Sequence, residues 1–317
     1  MKPLIIATAI LLAVLACATS CARVAPPDEA GPYQIGNYSV SYNNSEYGTF
    51  DAKIRYPALS DGELAPCDVS GSPYPGIVVS SGRSGGEWSV TWISERLASH
   101  GYVTLAFTPP DAMSNSTTQW TDGFTGGIAE LKTQNDTASS PIYGMVDTDT
   151  FGVIGFSMGG AGCIEAAGTN GSDVDAIVAL APAGYNASGA ETVTMSAARN
   201  TSVPIQLQIG TADSFVPPER VSPYYFDLIP DTAAKEYIVI DGGNHIGFLD
   251  QVFAEVADSL DMDAPGTIGF EEQRRISGRY FTAWFQYHLK GIEGYRSYIY
   301  GDGAVVGNVS TFEYDIP

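Results

Sequence analysis

Short apolar runs alternate with amphipathic stretches along most of the chain, and this alternation predicts the fold. Six runs rich in aliphatic and β-branched residues predict buried strands, because such residues fill both faces of a covered sheet. The runs are Gly76–Ser80, Tyr102–Phe107, Phe151–Ile154, Val174–Leu180, Pro204–Ile209 and Glu236–Ile240. Stretches with helical spacing lie between or after them, namely Trp88–Ser99, Phe124–Gln134, Pro218–Leu228 and Phe270–Leu289.

Two earlier stretches predict an antiparallel hairpin at the start of the fold. Tyr38–Tyr42 and Thr49–Tyr56 flank the turn residues Asn43 and Asn44. The later alternation of strands and helices predicts an α/β fold, with a central, mostly parallel sheet and helices on both faces. In such a sheet we expect functional residues at the carboxyl ends of the strands.

The first 21 residues have the pattern of an export signal. Lys2 precedes an apolar run, residues 3–16, which is too short for a stable membrane span. Residues 14–17 resemble a lipobox, in which Cys17 would be lipidated, although Leu15 replaces the usual small residue. Plain cleavage near Cys21 is the alternative. Both alternatives predict an extracellular or cell-surface protein.

The rest of the chain predicts one domain after a short connection. Residues 22–32 contain Pro26 and Pro27 and predict a tether. No internal repeat or long linker follows, so residues 33–317 are expected to form a single α/β domain.

The charge balance excludes several classes of partner. The chain has 15 Lys and Arg against 36 Asp and Glu, a formal net charge of −21. This argues against binding of nucleic acid or of anionic membranes by the body of the protein. We expect a monomer, with membrane contact only through an N-terminal lipid anchor.

Export would permit two kinds of covalent modification, glycosylation and disulfide formation. Eight N-x-S/T sequons predict glycosylation, with an Asn- and Ser-rich loop composition as the alternative. They are at Asn37, Asn43, Asn115, Asn135, Asn170, Asn186, Asn200 and Asn308. Cys67 and Cys163 remain after the leader, and export permits a disulfide between them. For Cys163 a buried free thiol is the favoured state.

One motif carries a specific chemistry. Residues 155–160 read Gly-Phe-Ser-Met-Gly-Gly between a predicted strand and a run of small residues. Strand, G-x-S-x-G and helix form the context of a nucleophile elbow. We expect glycines two positions on either side of Ser157 because a Cβ there would collide with neighbouring backbone. The helix N-terminus offers N–H groups to a developing oxyanion.

A serine nucleophile needs a general base, and the chain has three histidines. His100 is expected to cap a helix at the opposite edge of the sheet, and His288 to pack within the last helix. His245 follows the last predicted strand and is therefore the predicted base. Asp213 follows the preceding strand and is predicted to orient His245. Asp241 is the competitor but stands too close to His245 in sequence.

The oxyanion hole requires two N–H donors. Met158, the residue after the nucleophile, supplies the first. The second is predicted to be Arg83, because Gly82 lets the loop 81–86 turn inward. This Gly-rich loop lacks the spacing of a phosphate-binding loop. No cluster of residues with metal-ligand spacing and no dinucleotide fingerprint is present in the sequence, so neither a metal nor another cofactor is expected.

These motifs together resemble a known family, the bacterial cutinase-type polyester hydrolases, which are secreted α/β-hydrolases that include the poly(ethylene terephthalate) hydrolases. The resemblance covers nearly all of the chain after the tether. It is carried by Arg96–Tyr102, Pro141–Gly144 with Val146–Thr148, Gly155–Gly160, Asp213–Ser214 with Pro217, and Gly242–His245. It implies a cofactor-free serine esterase, with Ser157 attacking the ester, His245 moving the proton and Asp213 holding His245.

The sequence departs from the family at the substrate cleft. Arg83 stands where the family has Tyr or Phe, and Ala183, with Tyr185 nearby, stands where it has Trp. Phe156 and Phe215 keep aromatic character. These residues are the predicted substrate contacts, but a clamp for aromatic polyester is not supported. The Arg83 guanidinium is predicted to favour esters that carry a carboxylate, with an ion pair to Glu87 as the alternative.

A second departure concerns the loops that carry the acid and the base. The family's disulfide between them is missing, with Gly210 and Gly247 at its positions. We therefore expect a looser histidine loop.

Three functions remain open from the sequence. The first is a secreted carboxylesterase of cutinase or polyesterase type, acting on small-molecule or polymeric esters. The second keeps the chemistry but makes the chain a triacylglycerol lipase or a feruloyl-type esterase. The third is a catalytically silent surface lipoprotein that binds a partner.

Overall fold

The computed structural model describes residues 24–169, 172–186, 188 and 190–317. The predicted export signal, with Cys17 and Cys21, and the sequon at Asn170 lie outside the described residues. The residues described agree with the predicted α/β class.

A ten-stranded sheet forms the centre of the molecule, in the order β10-β9-β8-β7-β6-β4-β5-β2-β1-β3. Strands β4 to β9 pair with one another in parallel and are buried along most of their length. On one side β10 adds to β9 antiparallel; on the other side β2 pairs antiparallel with both β5 and β1, and the short edge strand β3 pairs in parallel with β1. The strands are β1 Gln34–Asn44, β2 Gly48–Ala58, β3 Gly62–Glu63, β4 Tyr74–Ser80, β5 Val103–Thr108, β6 Val146–Phe156, β7 Ala176–Leu180, β8 Ile205–Gly210, β9 Lys235–Ile240 and β10 Val309–Asp315.

Helices cover both faces of the sheet. Helices α1 and α7 contact each other, and α3 packs between α2 and α4. The helices are α1 Thr91–Ser99, α2 Thr118–Asp136, α3 Met158–Ala167, α4 Val193–Asn200, α5 Pro218–Val221, α6 Gln251–Ser259, α7 Phe270–His288 and α8 Arg296–Ile299. Among the described residues, none of the helices has the length and apolar character of a membrane span.

Several elements differ from the prediction. Helix α2 begins at Thr118, six residues before the predicted start at Phe124. Its glycines hide the apolar pattern because they serve close packing: a Cβ on Gly123 would lie 2.3 Å from the Phe107 ring. The helix predicted at 218–228 is the short α5 followed by a π-helical turn, Ser222–Phe226. Strand β10 and helices α4 and α6 were not predicted.

The segment expected to be a tether is bound along the body. The Arg96 guanidinium donates to the carbonyls of Pro27 (3.2 Å) and Glu29 (2.5 Å). Asp28 pairs with Arg275 at 2.9 Å, and the Gly31 N–H donates to the Ser99 hydroxyl at 2.9 Å. Residues 24–32 therefore contact α1 and α7 rather than forming a free connection.

Both cysteines of the folded part are free thiols. Cys163 is fully buried on α3, as predicted, and burial raises the pKa of its thiol. Cys67 is half-buried and donates to the Pro141 carbonyl at 2.8 Å.

Candidate active site

Ser157 occupies a sharp turn between β6 and α3. Its φ of 55° and ψ of −113° are strained for a residue with a side chain. A Cβ at position 155 would lie 2.1 Å from the Gly159 carbonyl oxygen, and one at 159 would lie 2.5 Å from the Ser81 carbonyl oxygen. The predicted need for glycine at both positions is confirmed, and the turn holds Ser157 at the carboxyl edge of the sheet.

The structure brings the three predicted residues of the triad together. The Ser157 hydroxyl lies 3.1 Å from His245 Nε2, and His245 Nδ1 lies 2.7 Å from Asp213 Oδ2. Asp213 Oδ1 accepts the N–H groups of Phe215 (3.0 Å) and Val216 (2.6 Å), which fix the carboxylate. A carboxylate can only accept, so Nδ1 carries the proton and Nε2 is free to accept from the serine.

Burial protects this arrangement from water. Asp213 is 3% exposed and His245 is 7% exposed. Both residues follow parallel strands, β8 and β9, and their loops leave the same edge of the sheet as the elbow. The imidazole lies between two aromatic rings, at centroid distances of 4.7 Å from Phe156 and 5.0 Å from Phe215.

The other candidates lie elsewhere. His100 is the C-cap of α1 and contacts the Glu29 carbonyl, and burial lowers its pKa to about 4. His288 packs 4.2 Å from the Trp284 ring, and burial lowers its pKa to about 4 as well. Asp241 is exposed and accepts from a neighbouring threonine hydroxyl at 3.4 Å.

The loop 81–86, which we call the oxyanion loop, runs directly beside the nucleophile. A Cβ on Gly82 would lie 2.6 Å from the Ser157 Cβ, so the 82–83 peptide approaches the serine closely. Among the described residues, the Arg83 N–H has no acceptor. Met158 is the first residue of α3, and its N–H has no acceptor within the helix. Both predicted donors are therefore available at the elbow.

Buried hydroxyl and indole groups hold the oxyanion loop in place. The Trp120 Nε1–H donates to the Ser81 carbonyl at 2.9 Å, and the Ser89 hydroxyl donates to the Ser81 hydroxyl at 2.7 Å. These bonds join the loop to α2 and to the turn before α1.

A cleft of about 570 Å³ opens above Ser157 and is mainly apolar. All five predicted substrate contacts line it, but they differ in exposure. Phe156 is only 4% exposed and mainly supports the His245 ring, whereas Phe215 is 49% exposed. The Tyr185 hydroxyl donates to the Phe215 carbonyl at 3.1 Å, which joins two of these walls.

Arg83 does not form the ion pair weighed from the sequence. Its Nε donates to the Met113 carbonyl at 3.0 Å, and the side chain is exposed at the cleft. Glu87 instead lies 3.7 Å from the Arg55 guanidinium. The small side chain of Ala183 leaves its side of the cleft open. The Ala183 backbone N–H donates to the Ser157 carbonyl at 3.0 Å.

The sequence interpretation missed one wall of the cleft, which helix α6 forms. Phe253, Val256 and Ala257 of α6 line the cleft, and the Phe253 ring lies 4.4 Å from that of Trp88. A signal was present, because residues 251–259 have helical spacing of apolar side chains directly after His245. Val252 and Val256 lie on the apolar side of α6 and are exposed, so part of that side is not covered by protein.

The histidine loop, residues 241–250, is held by hydrogen bonds that the sequence does not reveal. Gln273 accepts the Asn244 N–H at 3.0 Å and donates to its carbonyl at 2.7 Å. The Asp250 carboxylate accepts the N–H groups at the start of α1, from Thr91 at 2.6 Å and Trp92 at 3.3 Å. Hydrogen bonds thus hold the loop at both of these points, and the looser loop expected from the missing disulfide stays a prediction.

The fold and site together define an α/β-hydrolase with a Ser–His–Asp arrangement at the carboxyl edge of its sheet. Comparison with known proteins identifies the family. The PET hydrolase-like family model matches residues 21–263, and the chain belongs to this family. The resemblance stated from the sequence is thus confirmed, and the chain is a carboxylic ester hydrolase.

Characterised relatives are distant but match over most of the chain. A cutinase of Thermobifida fusca is 27% identical over 253 residues, which cover 74% of this chain and 75% of the relative. Cutinase est1 of Thermobifida alba is 27% identical over 228 residues, covering 70% and 72%. A bis(hydroxyethyl) terephthalate hydrolase of Streptomyces coelicolor is 25% identical over 222 residues, covering 68% and 61%.

Proposed function

We propose that this chain is a serine carboxylesterase of cutinase or polyester hydrolase type that works through an acyl-enzyme on Ser157. The observation that supports this most directly is the continuous hydrogen-bonded line from Asp213 through His245 to Ser157. Its two distances, 2.7 and 3.1 Å, suit proton transfer during attack. The relatives named as cutinases support the ester as substrate.

The residues divide the reaction among them. Ser157 Oγ attacks the ester carbonyl while His245 Nε2 takes its proton, and Asp213 stabilises the resulting imidazolium. The N–H groups of Arg83 and Met158 donate to the tetrahedral oxyanion. His245 then returns the proton to the leaving alcohol. A water molecule, activated by the same histidine, hydrolyses the acyl-enzyme and frees Ser157.

The decisive test is Ser157→Ala on p-nitrophenyl butyrate. We expect kcat to fall by at least about a thousandfold, because the triad acts as a unit. A p-nitrophenyl phosphonate should release one equivalent of p-nitrophenol from the parent and none from the variant. Equal rates for parent and variant would refute the mechanism and favour the catalytically silent surface protein.

The cleft favours apolar acyl groups on the α6 side. Phe253, Val256 and Ala257 offer an apolar wall without a polar group that could select a feruloyl hydroxyl. With Ala183 at the open side, a flexible aliphatic ester is a better fit than a stacked aromatic ring. A panel of p-nitrophenyl esters, a triacylglycerol emulsion, a feruloyl ester and a polyester film separates these substrates. Dominant activity on the feruloyl ester would contradict the assignment.

Export is a separate part of the proposal. The pattern of residues 1–21 supports an extracellular or cell-surface enzyme, with lipidation of Cys17 or cleavage near Cys21. Intact-mass spectrometry of protein from its native host distinguishes a diacylated from a free N-terminus. Retention of residues 1–21 in cytoplasmic protein would refute export.

A further inference from the structure

One carboxylate joins the two loops that carry the acid and the base. Asp263 Oδ1 accepts both the N–H (3.0 Å) and the hydroxyl (2.6 Å) of Ser214, the residue after Asp213. Its Oδ2 accepts the N–H groups of His245 (2.6 Å) and Ile246 (3.4 Å). A single side chain thus bonds the acid loop, residues 211–217, to the histidine loop.

Only N–H and O–H donors surround this carboxylate. A further bond comes from the Ala264 N–H at 2.8 Å, and no ion pair among the described residues involves Asp263. Hydrogen bonds to an ionised acceptor are shorter and stronger than neutral ones, and several of them fix direction as well as distance. Nearby, the Asn244 side chain donates to the Ala264 carbonyl at 3.0 Å, so the same segment holds the histidine loop twice.

The local packing explains why a third segment has to supply this connection. A Cβ at position 210 would lie 2.2 Å from the Gly243 carbonyl oxygen, and one at position 247 would lie 2.0 Å from Gln273 Oε1. Side chains at Gly210 and Gly247 would therefore displace backbone or the Gln273 amide. The two loops cannot be joined through these positions without rearrangement.

We propose that Asp263 is a positioning residue that sets the distance between the acid loop and the histidine loop. The inference rests on the proposed roles of Asp213 and His245. Asp263 contacts the backbone of His245 and the neighbour of Asp213, not the reacting atoms. Weakening its bonds lets the loops shift, and a misplacement of about 1 Å at a reacting group costs about a hundredfold in rate.

The test compares Asp263→Asn with Asp261→Asn, which removes the same charge from an exposed neighbour. The amide keeps the shape of the side chain but turns an NH₂ group toward N–H donors. We expect kcat on p-nitrophenyl butyrate to fall about 10- to 100-fold in Asp263→Asn, while KM stays within twofold of the parent. The control Asp261→Asn should keep the kcat of the parent. Ser214→Ala, which removes one bond to Asp263, should lower kcat about threefold.

A spectroscopic measurement separates positioning from general loss of stability. The Nδ1 proton between His245 and Asp213 gives a low-field proton resonance, which should shift or broaden in Asp263→Asn while thermal unfolding still lies above the assay temperature. An unchanged resonance and a kcat within twofold of the parent would overturn the proposal, as would an equal loss in Asp261→Asn.

Three further outcomes each have a definite meaning. If Asp263→Asn does not fold, Ser214→Ala decides, and an unaltered kcat in that variant overturns the proposal. If the parent itself fails to react with the phosphonate, the serine mechanism is wrong, whatever the variants of Asp263 do. A loss confined to KM also contradicts positioning, because it would point to substrate binding instead.

Discussion

Because Glu236 is buried, its carboxyl group should lower the free energy of unfolding of the protein as the pH rises. The side chain is fully buried in β9, where Gln206 donates to Oε2 at 2.5 Å. Oε1 has no partner among the described residues. Burial raises the pKa of this carboxyl well above its ordinary 4.5, and the Gln206 bond lowers it by less. The carboxyl is therefore protonated in the folded protein at mildly acidic pH.

The direction and size of the change in the free energy of unfolding follow from proton linkage. Above pH 4.5 the unfolded chain releases this proton, whereas the folded chain keeps it. Unfolding then becomes easier by about 1.4 kcal/mol per pH unit, until the pH reaches the raised pKa of the folded carboxyl. The loss is absent at pH 4 and reaches about 2 kcal/mol at pH 6. Glu236→Gln cannot titrate, so its stability relative to the parent should rise by this amount.

Urea unfolding of parent and variant at pH 4 and pH 6, at constant ionic strength, measures this difference. Any pH-independent effect of the amide on stability cancels when the two pH values are compared. The contributions of the two buried histidines cancel as well, because parent and variant both contain them. The exposed Glu293→Gln is the matched control and should follow the parent. If the free energies of unfolding of Glu236→Gln and parent change in parallel between the two pH values, the carboxyl is not protonated in the folded state and the reasoning fails.

Two further predictions concern the walls of the cleft. Arg83→Tyr should lower the preference for mono-p-nitrophenyl succinate over p-nitrophenyl butyrate about threefold, as expected for an exposed ionic contact; an unchanged ratio of kcat/KM values would contradict it. Val256→Trp should lower kcat/KM for p-nitrophenyl octanoate relative to butyrate about tenfold, since about two CH₂ groups lose their buried position. Equal ratios in parent and variant would exclude α6 as the acyl wall.

The sequence predicted the parts of the molecule that depend on local pattern. β-Branched runs locate the parallel strands, because a strand covered on both faces is mainly apolar. Once the strands were identified, Ser157, Asp213 and His245 each followed a strand end, and parallel strands bring those ends to one edge. The elbow glycines were predictable for the same reason, since their constraint acts within a few residues.

The parts that were missed depend on contacts between distant segments. The start of α2 is polar and Gly-rich, and its packing against Phe107 becomes visible only in three dimensions. Strand β10 has half-exposed residues and pairs with β9 as an edge, so it lacks the signal of a buried strand. Helix α6 is amphipathic in its sequence, but the position of its apolar side against the cleft becomes visible only in three dimensions.

The attachment of the histidine loop is the clearest case of this limit. The sequence shows that the family's disulfide is missing, because Gly210 and Gly247 stand at its positions, and this alone predicts a looser histidine loop. Asp263 bonds the two loops to each other and Gln273 bonds the histidine loop to α7, mainly through backbone N–H and carbonyl groups, which any loop sequence offers. Because most of the donors to Asp263 are backbone N–H groups, with the Ser214 hydroxyl as the exception, the contact is not marked by a pairing of residue types. The residues that hold the histidine loop lie 18 and 28 positions after His245, too far along the chain for a local sequence pattern to show them.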